Sequence, residues 1–89
     1  MNKIQQEFKE LLMSFTSVTG DKFEEGTVDN IIKLSNDEEL SNFMQFISKD
    51  MSENGRFHIE IEGIMILLAE KNPNASAEDL IKLYKKSWR

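Results

Sequence analysis

Apolar residues recur along this chain mostly every three or four positions, the spacing that lays side chains along one face of an α-helix. Ile4, Phe8, Leu11, Leu12, Phe15 and Val18 follow one another at steps of 4, 3, 1, 3 and 3. They predict a first helix over residues 2–18, with Lys3, Glu7, Lys9 and Glu10 on its wet side. Gly20 then reads as its stop, because glycine accepts a left-handed backbone without a side-chain clash. Thr27 is positioned to cap a short second helix carrying Val28, Ile31, Ile32 and Leu34. Asn36 opens a third. Its Asp37, Glu38 and Glu39 suit the positive end of a helix dipole, and Asn36 with Glu39 approximates a capping box. Leu40, Phe43, Met44, Ile47 and Met51 form the stripe of that helix.

After Asn54-Gly55 the pattern supports two readings. Phe57, Ile59 and Ile61 alternate with His58 and Glu60, as on a strand. Phe57, Ile61, Ile64, Met65 and Leu68 keep helical spacing for three turns, and this longer match predicts a helix over residues 56–71. Asn72-Pro73 ends it, since proline lacks an amide donor and disfavours helix in the residue before it. Ser76 with Asp79 caps a last helix whose stripe is Leu80, Ile81, Tyr84 and Trp88. The expected fold is all-α, an irregular bundle of four to five short helices in one domain spanning residues 1–89.

Phe23, Phe46, Ile59, Ile66 and Leu67 stand outside these stripes. That surplus offers either a helix buried on most sides or an exposed contact surface. On the second reading Ile59, Ile66 and Leu67 form a partner-binding face, with Tyr84, Lys85 and Trp88 as further contacts.

Composition narrows the chemistry. The 89 residues include no cysteine, which removes disulfides, thiolate metal sites and a cysteine nucleophile. His58 is the single histidine, and no serine sits in a Gly-x-Ser-x-Gly elbow. Acidic pairs such as Glu24-Glu25 and Glu78-Asp79 suit solvated faces and helix starts. No catalytic residue and no cofactor is expected. The N-terminus lacks the apolar run of a secretory signal, and the longest apolar run, Ile64 to Ala69, is far short of a membrane span. The expectation is a cytoplasmic protein that does not use a membrane.

Charge is unevenly placed. The net charge is −5, and twelve of the sixteen acidic side chains fall in the first sixty residues, whereas Lys82, Lys85, Lys86 and Arg89 crowd the end. An acidic body opposes general phosphate binding. A nucleic-acid reading therefore rests on the last helix alone, with its lysines on phosphates and Tyr84 or Trp88 stacking on bases.

One local pattern, Asp50-Met51-Ser52-Glu53-Asn54-Gly55-Arg56-Phe57, resembles the first part of an EF-hand calcium loop. Such a loop has oxygen ligands at positions 1, 3 and 5, glycine at 6 and an apolar residue at 8. The resemblance implies a helix-loop-helix in the middle of the chain, with Asp50, Ser52, Asn54 and Glu62 as candidate metal ligands. Position 12, which should be a bidentate glutamate, is Ile61, and Glu60 and Glu62 are displaced from it. At best this is an EF-hand-like unit without strong calcium binding.

The sequence thus points to a small non-catalytic binding or regulatory module, an adaptor, inhibitor or assembly factor. Its partner would be another protein or a second copy. A cation-responsive protein and a nucleic-acid-associated factor are the alternatives. Small acidic helical proteins of this type occur among phage and mobile-element products, a likeness of class only.

Overall fold

The computed structural model describes the backbone of residues 1–54 and 58–87, and the side-chain surroundings of all of these except 51–54, 58 and 59. Among the described residues five helices follow in order: α1 (Lys3–Met13), α2 (Glu25–Leu34), α3 (Asp37–Asn54), α4 (His58–Lys71) and α5 (Ala77–Ser87). The described residues hold no strand, only an isolated antiparallel bridge between Thr16 and Lys22. Residues 58–61 are helical, so strand spacing at the start of α4 does not become a strand.

Local chemistry explains most of the helix starts. The Asn36 side chain accepts from the Glu39 amide at 2.8 Å, and the Glu39 carboxylate accepts from the Asn36 amide at 3.3 Å. Ser76 and Asp79 exchange the same two bonds at the start of α5. Asn2 and Gln5 do so at α1. Each box satisfies backbone donors that a helix start leaves without intrahelical partners.

Two boundaries differ from expectation. The second helix begins at Glu25 with Glu24 as its N-cap, three residues before the expected Thr27 cap. Its N-terminal half is held from outside: the Lys9 ammonium of α1 lies 2.9 Å from Glu25 and 2.8 Å from Asp29. The first helix ends at Met13, so the stripe drawn to Val18 overran it. Ser14 and Phe15 donate back three residues, to Leu11 and Leu12, which tightens and closes the last turn. The chain then leaves the helix axis, burying Phe15 while Val18 stands 75% exposed.

The helices α1 and α3 pack together, α5 lies on α3 and α4, and α2 bridges α1 and α5. Every helix contributes to one buried cluster, including Phe8 and Leu12, Val28 and Ile31, Leu40, Phe43 and Ile47, Ile61 and Met65, and Leu80. Phe8 and Phe43 meet edge to face at 5.2 Å at its centre. Phe15 and Phe23, from the segment between α1 and α2, close one side at 5.9 Å. Phe23 was surplus by spacing, yet it is core.

The rotation of α4 is the main departure. Its expected inner stripe ran through Ile61, Ile64, Met65 and Leu68. The buried positions are Ile61, Met65, Ile66 and Ala69, with Ile64 and Leu68 at the margin. At ~100° per residue, the buried arc is turned by roughly a quarter revolution from the expected one.

Candidate functional site

Between α1 and α2 the chain makes a tight turn fixed by its own hydroxyls. The Ser17 amide donates to the Asp21 carbonyl at 2.8 Å, and the Gly20 amide to the Ser17 carbonyl at 3.0 Å. Ser17 Oγ accepts from the Asp21 amide at 2.9 Å, and Thr19 Oγ1 donates to the Asp21 carboxylate at 2.8 Å. Gly20 has φ +87°, a left-handed conformation that costs other residues about 1–2 kcal/mol. Gly20 thus closes this turn instead of stopping a helix.

The turn is tied to α4 at two points. The Thr16 amide, beyond the end of α1, donates to Glu62 Oε1 at 2.8 Å. One residue on, Gly63 lies against the turn: a methyl group there would sit 3.4 Å from Ser17 Cβ, a close but ordinary contact. Ser17 therefore lies directly on the helix backbone surface.

This docking leaves a groove of about 330 Å³ between the turn and the outer side of α4. Val18, Ile64 and Leu67 supply its apolar walls, and Asp21 and Glu60 are its acidic members. Among the described residues Val18 is the most exposed large apolar side chain, and Leu67 is 49% exposed. The other exposed large apolar residues described, Met1, Met13 and Leu34, do not line this groove. Two larger depressions flank Pro73, and some of their polar residues serve the fold. Asp79 caps α5, and Asn30 donates to the Pro73 carbonyl.

Of the residues expected from sequence to bind a partner, the structure describes the surroundings of Ile66, Leu67, Tyr84 and Lys85. Leu67 is exposed and lines the groove. Ile66, its neighbour, is 3% exposed and belongs to the core, so it is not available as a surface contact in this fold. Tyr84 is likewise buried, at 2% exposed. Its hydroxyl donates to Asp50 at 3.0 Å and its ring meets Phe46 edge to face at 5.6 Å. Lys85 is exposed, with its ammonium 5.4 Å above the Phe46 ring. Ile59 and Trp88 lie outside the residues whose surroundings are described. Val18 was missed because helical periodicity placed it on the inner stripe of α1. The Ser-Val-Thr-Gly run was the available signal, since these residues favour a turn over a helix.

Of the candidate calcium ligands, the structure describes the side chains of Asp50 and Glu62, and those of Ser52 and Asn54 lie outside the described residues. Helical backbone continues through Asn54, so the positions of Asp50, Ser52 and Asn54 lie on the last turns of α3. The Asp50 carboxylate is buried against Tyr84, and Glu62 faces Thr16. Residues 55–57 lie outside the described residues. Among the described residues no group of three or more acidic or histidine side chains is arranged to hold a metal ion.

The basic end of α5 is partly engaged. Lys82 pairs with Glu78 at 3.7 Å, and with Tyr84 buried the base-stacking surface expected there is reduced to Trp88, outside the described residues. No helix among the described residues is long and apolar enough to cross a membrane. Comparison with protein-family models, with curated proteins and with solved structures returns no match to this chain.

Proposed function

We propose that the chain is a non-catalytic binding module that works by contact, recognising another protein through the groove between the 17–21 turn and α4. The observation that carries this reading is the pairing of Val18 and Leu67. Both are exposed apolar side chains from separate parts of the chain, and both line one groove. Apolar side chains presented on a fixed turn and a helix bind without first losing much conformational freedom. Scattered exposed apolar residues need no explanation, but a contiguous apolar depression with a polar rim is the usual form of a contact site.

The test compares wild-type chain with Leu67→Asp and Val18→Asp as bait in the source cell, with Leu34→Asp as a control elsewhere on the surface. A protein captured by wild type and Leu34→Asp, and lost with both groove variants, is the expected result. A partner retained by the groove variants would place the contact surface elsewhere and sink the proposal.

A further inference from the structure

We infer, resting on that reading, that the groove takes a short peptide segment of another protein in which one or two bulky apolar side chains adjoin lysine or arginine. Three observations select this occupant. The groove, at about 330 Å³, is at the small end of the ~300–1,000 Å³ range of ligand pockets. It has room for one or two anchoring side chains.

Among the described residues its charge is of one sign. Asp21 and Glu60 line it and are exposed, and no described basic residue lines it. Glu60 also stands in the first turn of α4, on the same outer side of the helix as Leu67. An apolar anchor against Leu67 and Val18 would therefore bring its flanking residues beside two carboxylates. The wider field has the same sign, since the chain carries a net charge of −5 with most acids in its first sixty residues. Such a field speeds encounter with basic segments and opposes nucleic acid and anionic lipid.

A second copy is a poorer fit. Each copy carries the same −5, and two of the lysines at its basic end are engaged, Lys82 with Glu78 and Lys85 over Phe46.

The experiment selects from a phage-displayed library of random peptides on the immobilised full chain. The enriched peptides are then synthesised and their affinities measured by fluorescence polarisation. The expected peptides combine leucine, isoleucine, phenylalanine or tryptophan with lysine or arginine, and lose binding to Leu67→Asp. Glu60→Gln should weaken them, and Glu60→Lys should weaken them further, up to about tenfold at low salt and less at high salt. Circular dichroism checks that each variant is folded. Neutral or acidic peptides that still depend on Leu67 would overturn the basic-segment inference and leave the groove as a docking site. Peptides indifferent to Leu67→Asp would overturn both. Concentration-dependent dimerisation of the wild type, lost in Leu67→Asp, would make the occupant a second copy and overturn the inference.

Discussion

Ile66 and Leu67 are adjacent on α4 and differ by one carbon's position, yet the fold assigns them opposite surroundings. Ile66 is 3% exposed and Leu67 is 49% exposed. Truncating Ile66 to alanine deletes buried carbons and leaves a hole among Met65, Ala69 and the rest of the cluster. That change costs about 2–5 kcal/mol in well-packed interiors. A domain of this size has roughly 4–13 kcal/mol in all, at ~0.05–0.15 kcal/mol per residue, so the loss is a large share of it. For Leu67, full burial of such a side chain is worth ~1.5–3 kcal/mol, and half-exposure leaves about 1 kcal/mol or less to lose. Urea denaturation followed by far-UV circular dichroism measures both. Leu67→Ala should shift the midpoint slightly at an unchanged slope. Ile66→Ala should lower the melting temperature by at least ~8 °C, at about 4–8 °C per kcal/mol. Equal losses, or a larger loss at Leu67, would show that α4 is rotated differently. The groove, and the function proposed for it, would then have no basis.

Tyr84→Phe keeps the ring against Phe46 and removes the hydroxyl that donates to the buried Asp50 carboxylate. Hydrogen bonds to charged groups contribute about 1.5–3 kcal/mol, so the urea midpoint should fall accordingly, and an unchanged midpoint would show that the bond adds nothing. Ser35 Oγ donates to the Ile31 carbonyl at 2.7 Å and accepts from the Ala77 amide at 2.9 Å, joining the end of α2 to the start of α5. Ser35→Ala should cost about 1–3 kcal/mol and speed hydrogen exchange at the Ala77 amide; unchanged exchange there would argue against the junction. Asp29, and then Glu25, hold the Lys9 ammonium above its ordinary pKa. Their contribution is therefore complete below the unfolded lysine value and is lost as pH rises through the raised one. The stability difference between wild type and Lys9→Met should be constant from about pH 6 to about 9 and shrink above the usual ~10.4; a difference that persists there would refute the pairing. With Asp50 turned to Tyr84 and helix through Asn54, millimolar calcium should leave the melting temperature unchanged. A site filled at 100 times its dissociation constant would add ~2.7 kcal/mol, so a rise of about ten degrees would restore the calcium loop.

The helical class was determined by short-range pattern. Asn36 with Glu39 and Ser76 with Asp79 cap helices because their bonds span three residues, a distance the sequence itself specifies. Phe8 and Leu12, and Leu40, Phe43 and Ile47, are core because each helix that carries them has one apolar and one polar face. The candidate site was only partly legible, through Leu67, and its other half depends on contacts that no local pattern encodes. The apolar residues of α4 surround the helix almost completely, so periodicity gives no unique inner face. Its rotation is set by what packs around it, and that places Ile66 inside and Leu67 outside. The end of α1 is similarly decided at a distance. The Thr16 amide finds its acceptor on Glu62, 46 residues away, and Ser17 lies against Gly63. These contacts draw the chain off the helix axis, turning Val18 from a continuation of a stripe into an exposed side chain of the groove.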